Sequence, residues 1–291
     1  MFEIHTLDLK LRGSSNALAA HVIKTDQGSI LVDCGPESTL HNLYSELERV
    51  QARDLKYLLL THIHLDHAGA AGRLSRELDL TVFVHARGAK HLQDPTRLLA
   101  SAKQIFGDRM TEIWGNIEPV KNLEILNGGE RLELCNLELL ALYTPGHAVH
   151  HLAFQLEDVI FAGDVAGVRI GNQAPVPPTP PPDINLEHWR TSIEMLKSRA
   201  AKTLYLAHFG RFDDVPEHLE RLSENLERIA QISLLGLQAG ETALEIAARL
   251  RNATSLWASD EFASGYVPAS ISASDVAGLE RYWQKFHPEL L

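Results

Sequence analysis

Several short apolar runs in this chain stop abruptly on a histidine or an aspartate, and this repeated ending constrains the fold more than any other feature. Residues 55–60 (LKYLLL) run into Thr61-His62-Ile63-His64-Leu65-Asp66-His67. Residues 137–143 end at Thr144-Pro145-Gly146-His147, residues 159–161 at Ala162-Gly163-Asp164, and residues 203–207 at His208. Runs this short and this apolar suit buried β-strands covered on both faces. If each delivers its polar terminus to one rim, the scaffold is a layered one with its chemistry on the edge loops.

The rest of the chain reads consistently with layers. Residues 19–34 (AAHVIKTDQGSILVDC) give two β runs around Asp26-Gln27-Gly28. Leu40, Leu43, Leu47 and Val50 mark one helix face. A helix is predicted over 68–78, a strand over 81–85, and mostly helix over 88–116. From 123 to 161 the character is β, and residues 186–198 form a helix with Asp183 or Asn185 as its cap. Residues 175–182 (PVPPTPPP) hold six of the chain's 13 prolines, so they are stiff and extended, as either a wall or lid over the rim or a plain connector. Beyond 213 only helices are predicted, over 216–235, 241–251 and 274–286, joined by Gly236, Gly240 and a loop around Gly265.

Composition narrows the function classes. With 38 acidic against 27 basic side chains the formal net charge is −11, a field that repels phosphate backbones. The helical segment 216–291 holds six Lys+Arg against eleven Asp+Glu, so it is not expected to bind nucleic acid either. No apolar stretch is long enough for a membrane helix, and Met-Phe-Glu-Ile-His places an acid where a leader wants Lys or Arg. A cytoplasmic protein without membrane or nucleic-acid partners is expected, with a homodimer open. Cys34 and Cys135 are too few for a disulfide framework and read as two buried small hydrophobes.

Histidine is where the sequence departs from an ordinary globular chain: there are 15. In extended backbone His62 and His64 point to one side, because side chains alternate with period 2, so both can reach one metal ion. Asp66 and His67, past the bend, can face a second. Imidazole and carboxylate donors suit Zn2+, and also Fe2+ or Mn2+, while the lack of thiolates argues against a closed structural zinc site.

The succession of HxHxDH, TPGH, GD and a late histidine resembles the metallo-β-lactamase-fold hydrolase superfamily, and the glyoxalase II and lactonase group within it. The resemblance covers about residues 1–212 and implies an α+β fold, a four-layer αββα sandwich with metals at one edge. It divides the chain into a catalytic domain over 1–212 and a helical C-terminal subdomain over 213–291. It implies that His62, His64 and His147 hold one metal, that Asp66, His67 and His208 hold another, and that Asp164 bridges them. Asp33 matches a position that braces the metal loop. Two Zn2+ ions are the expected cofactor, with Asp66 orienting a hydroxide and passing a proton to the leaving group of a small-molecule ester, thioester or lactone.

Other branches of the superfamily fit less well. Its true β-lactamases lack a bridging carboxylate at the Asp164 position, its flavin-linked diiron reductases replace the second histidine of the loop by Glu, and its RNA-processing members add inserted domains. Mononuclear iron persulfide dioxygenases stay open as a second reading, through residues matching His62, His147 and Asp164. Gly167 stands where some lactonases carry a tyrosine, and no Lys/Arg cluster for glutathione is evident. His151 is expected to pack beside the site rather than to bind metal, and His85, His150 and His188 read as ordinary.

Overall fold

The computed structural model describes residues 1–52, 54–254 and 271–291. Six strands form the first sheet in chain order: β1 (Glu3–Asp8), β2 (Ala19–Thr25), β3 (Gly28–Val32), β4 (Leu55–Leu59), β5 (Thr81–His85) and β6 (Leu123–Leu126). The first three are antiparallel, and β3 to β6 run parallel. Parallel neighbours need crossovers. Here α1 (Leu40–Arg49) precedes β4, α2 (Leu65–Ala68) and α3 (Ala71–Leu78) precede β5, and α4 (Ala86–Gln93), α5 (Thr96–Phe106) and α6 (Met110–Trp114) precede β6.

The second sheet adds β7 (Arg131–Leu134), β8 (Leu137–Tyr143), β9 (Leu152–Leu156) and β10 (Val159–Phe161), then β11 (Thr203–Leu206) and β12 (Gly210–Phe212). Its one parallel pair, β10 with β11, is bridged by α7 (Leu186–Ser198), whose cap is Asn185, accepting from the His188 N–H at 2.8 Å. Among the described residues three α-helices follow: α8 (Val215–Gln238), α9 (Ala243–Thr254) and α10 (Ala273–Phe286).

Alternation along the strands produces the layers. Ile30 and Val32 of β3, Leu59 of β4 and Phe83 of β5 meet Phe154 and Phe161 between the sheets. Their neighbours Leu31, Leu58 and Val82 face the other way, against Leu43 and Leu47 of α1. In the second sheet Ala153, Ile160 and Leu204 turn outward onto Trp189 and Ile193 of α7 and Leu222 and Leu226 of α8. Where both faces are covered, as at β3, β10 and β11, the strand runs are nearly all apolar, whereas outer strands such as β7 alternate with charged residues. The result is the α+β sandwich of four layers, αββα, that the motifs implied.

Helix α8 and the strands of the second sheet belong to one continuous hydrophobic cluster, which also takes in Ile246 of α9 and Leu279 of α10. Several boundaries differ from the sequence reading. β1 pairs with β2 although no strand is evident there in the sequence, and β12 is too short to read. The helix predicted over 68–78 breaks between Ala68 and Ala71. Gly236 lies inside α8 instead of ending it: a Cβ there would stand 2.6 Å from Ile246 Cγ1, so its bareness lets α9 approach. The loop around Gly265 lies outside the described residues. No described helix is long and apolar enough to cross a membrane.

Candidate metal centre

All the polar strand ends arrive on one rim. His62 and His64 follow β4 in extended backbone, and His64 is the residue before α2, with φ −62° and ψ 151°. The chain then turns helical, so Asp66 and His67 sit in the first turn of α2, where the His67 ring packs against that of His62 with centroids 4.0 Å apart. His147 follows β8, Asp164 lies in the short helical turn Gly163–Ala166 after β10, and His208 follows β11. The second sheet therefore supplies His147, Asp164 and His208, and the first supplies the other four.

These seven side chains form two triads with a carboxylate between them, and Asp164 with His62 and His67 makes a third group that overlaps both. His62 Nε2 and His147 Nε2 lie 3.0 and 2.9 Å from His64 Nδ1. In the other triad, Asp66 Oδ2 is 3.5 Å from His208 Nε2 and 4.0 Å from His67 Nε2. Asp164 turns Oδ1 toward His67 Nε2 (3.2 Å) and His208 Nε2 (3.6 Å), and Oδ2 toward His147 Nε2 (3.4 Å). His62, His67, His147, Asp164 and His208 are all buried.

The outer nitrogen of each flanking histidine is tied up, and this fixes which nitrogen points inward. His147 Nδ1 donates to the Pro178 carbonyl at 2.9 Å, and His208 Nδ1 to the Ala17 carbonyl at 3.0 Å. His67 Nδ1 donates to Asp33 Oδ2 at 2.8 Å, and Thr61 donates through N and Oγ1 to the two Asp33 oxygens, each at 2.8 Å. With its own proton committed to Asp33, Thr61 Oγ1 accepts from His62 Nδ1 at 3.1 Å. Asp33 itself sits at φ +56°, a left-handed conformation that aspartate tolerates, and touches none of the inward nitrogens.

His151 is fully engaged elsewhere. Its Nε2 accepts from the Asp164 and Val165 N–H groups at 3.1 and 3.3 Å, and its Nδ1 donates to Thr144 Oγ1 at 2.8 Å. It therefore holds the turn that carries Asp164. Gly163 permits this contact: its φ is +51°, and a Cβ would lie 2.7 Å from His151 Nε2. His85 caps α4 through the Arg87 N–H and stacks on Tyr143. Cys34 is buried, whereas Cys135 is only half-buried, so just one of the two fits the expectation for both.

Three buried polar atoms on this rim have no hydrogen-bond partner: His67 Nε2, His208 Nε2 and Asp164 Oδ1. Asp164 Oδ1 lies 3.2 and 3.6 Å from the two nitrogens without the alignment of a hydrogen bond. In the first triad, the inward lone pairs of His62 and His147 converge on His64 Nδ1, which carries one proton at most. Such an orphaned cluster is costly unless a cation fills it, and its donors suit borderline divalent ions. Burial pulls His147 down to about 4 and His62 well below its usual range, so both offer lone pairs at neutral pH. Burial would raise Asp66, but His67 and His208 outweigh it and hold that carboxyl at about 2.

A cavity of about 890 Å³ opens over the rim, with His64, Asp66, His147, Asp164 and His208 on its floor. Pro178 and Pro180 to Pro182 form part of its wall, so the proline segment borders the site instead of merely linking two elements. Thr179 ties that wall to α10, donating through N to Asp275 Oδ1 at 3.0 Å. Two features escaped the sequence reading: His150, which lines the cavity, and a group of basic side chains on α4 and α5; His151 packs beside the site without joining a triad, as expected.

Comparison with known proteins agrees with this layout. The chain is 28% identical over 230 residues, 76% of its length and 84% of the relative's, to the metallo-beta-lactamase fold-containing protein ST1585 of Sulfurisphaera tokodaii. It is 30% identical over 147 residues to the hydroxyacylglutathione hydrolase GloC of Haemophilus influenzae, covering 48% of this chain and 62% of that one. The crystal structure of the metallo-beta-lactamase family protein TTHA1429 from Thermus thermophilus superposes with a TM-score of 0.72 at 24% identity, over 97% of this chain and 93% of that one. The family profile of the Metallo-beta-lactamase superfamily matches residues 18–208, a span that holds every member of both triads, and the chain belongs to that superfamily as one of its metallo-hydrolases.

Proposed function

We propose that the chain is a dinuclear metal-dependent hydrolase, most simply with two Zn2+ ions, that cleaves a small-molecule ester, thioester or lactone. The observation that carries this reading is Asp164, whose two oxygens face two different triads. His62, His64 and His147 would hold one ion, Asp66, His67 and His208 the other, with Asp164 shared. Bound divalent ions supply Lewis acidity, bringing the pKa of water toward about 7 and polarising a carbonyl oxygen.

The chain's own residues do the rest. Asp33, Thr61, Pro178 and Ala17 hold four imidazoles in the tautomer that directs lone pairs inward. Asp66, bordering the cavity, accepts a hydrogen bond from water and takes its proton toward the leaving group. Leu65, Trp114 and the proline wall narrow the water-filled space beside the reacting group. The GloC relative, named for a glutathione thioester, supports the thioester end of the range.

The test is metal content per chain in protein purified anaerobically without added metal, together with turnover of a thioester and lactone panel. Two zinc ions and hydrolysis are expected, with Asp66→Ala keeping the fold and losing at least about 100-fold in kcat. One iron with little zinc, and oxygen uptake on glutathione persulfide, would replace this reading by the dioxygenase one.

A further inference from the structure

The cavity above the metal rim has two chemically different walls. One is apolar, built from Ile63, Leu65, Leu98 and Trp114. The other carries Arg87 and Lys90 of α4 and Arg97 of α5. Arg87 and Lys90 are three residues apart on a helix, which puts both on one face, and His91 beside them feels the positive charge of both Lys90 and Arg97. The three side chains are exposed, and none makes an ion pair or a side-chain hydrogen bond among the described residues.

That arrangement is unusual for this surface. The chain carries eleven more acidic than basic side chains, and most described arginines elsewhere pair with carboxylates, as Arg73 does with Glu77, Arg76 with Glu118 and Arg190 with Glu227. The carboxylates that border the same cavity are otherwise committed. Asp66 and Asp164 belong to the metal rim, and Asp275 is buried and caps α10 while accepting from Thr179. Asp183 alone also faces this space, 4.0 Å from His150 Nε2. Asp94, at the end of α4, also acts on Arg97, so three cations stand against two carboxylates and, among the described residues, leave a net positive mouth on a negative protein, which draws in and orients anions.

We propose that Arg87, Lys90 and Arg97 form an anion subsite at the mouth of the cavity, so that the substrate is an acyl ester or thioester whose far end carries phosphate or carboxylate. The inference rests on the hydrolase reading for the word substrate, but the subsite itself does not. The scissile bond lies over Asp164 and His208 at the floor, the chain between them runs along the apolar wall, and the anion stays at the mouth. Guanidinium groups favour oxyanions through paired N–H donors, which suits either anion.

The experiment separates binding from turnover. Three non-hydrolysable thioethers are titrated calorimetrically into the metal-loaded enzyme: S-butyl-coenzyme A, S-butylglutathione and the neutral S-butylpantetheine. At least one anionic ligand is expected to bind tenfold or more tightly than the neutral one, with an affinity that falls as salt is raised. A preference for the coenzyme A ligand identifies phosphate, and a preference for the glutathione ligand identifies carboxylate. The variant R87Q/K90Q/R97Q, whose changes are all on exposed side chains, should melt like the parent and lose that preference. Equal affinities for all three ligands, or an anion preference that survives in the variant, would overturn the subsite. If charge-dependent binding holds while no ester or thioester turns over, the hydrolase reading fails and the anion subsite stands.

Discussion

Asp33→Asn changes one atom at a residue that touches no inward-facing nitrogen, yet it should disable one of the two triads. Asp33 Oδ2 accepts from His67 Nδ1, and both of its oxygens accept from Thr61. Asparagine keeps one acceptor, which stays with the Thr61 N–H, and turns an amide N–H2 toward His67. The imidazole then has two options: leave a buried N–H facing a donor, or move its proton to Nε2, the nitrogen that faces Asp66, Asp164 and His208. The first costs about 1.5 to 3 kcal/mol for a buried charge-assisted hydrogen bond. The second blocks a ligand position, for which support-residue mutations typically cost roughly 10- to 100-fold in metal affinity, or about 1.4 to 2.7 kcal/mol. Competition titration against a chromophoric chelator should show the step involving Asp66, His67 and His208 weakened by that factor, and the step involving His62, His64 and His147 weakened less, because the amide N–H2 also replaces the acceptor of Thr61 Oγ1, which touches His62 only at second hand. Equal weakening of both steps, or of neither, would mean that Asp33 does not set the His67 tautomer.

Other perturbations test the scaffold. Gly163→Ala forces a Cβ into a left-handed turn, 2.7 Å from His151 Nε2 and 2.8 Å from Thr61 Cβ, and should cost about 2 to 4 kcal/mol in denaturant melts; a loss under about 1 kcal/mol would show the turn to be pliant. Trp189→Phe removes the Nε1 bond to the Val165 carbonyl at 2.8 Å, for an expected loss of about 1 to 3 kcal/mol, and full stability in the variant would argue against that bond. Buried His21 is held neutral, pulled by burial to about 4 while donating through Nε2 to the Leu206 carbonyl. The unfolded chain takes up a proton below about 6.5, so this stability is whole above that pH and drains as pH falls toward 4, by roughly 3 kcal/mol. His21→Phe should flatten the acid limb of the stability curve, and parallel limbs would exclude His21 as its source.

Much of this was legible because it is local. Period-2 alternation fixes that His62 and His64 share a side, and the bend after them explains why Asp66 and His67 do not join that triad. Short, mostly apolar runs such as residues 55–60 mark buried strands and a layered scaffold, while the four-layer arrangement was legible only through the resemblance that the motifs carry. What escaped is tertiary. β1 carries charge at both ends and is an edge strand defined by its pairing with β2, not by its own pattern. His151 is recognisable as a brace only once the Asp164 turn is folded over it. Arg87, Lys90 and Arg97 look like the polar face of any amphipathic helix, because nothing in the sequence says that this face borders a cavity.

The division of the seven side chains between two sheets makes an ion at this rim a bolt across the seam of the sandwich. Without it, the two halves meet near the rim mainly through apolar contact and a few bonds such as Ala19 N–H to the Ala207 carbonyl, at 2.7 Å, and His208 to Ala17. An ion shared by His67 and His208 would close a loop of well over a hundred residues. A cross-link of that span restricts the denatured chain by on the order of 5 kcal/mol, as a long-range disulfide does. Metal loading would then govern how this protein comes apart as well as what it cleaves, with chelation letting the halves separate in succession instead of together.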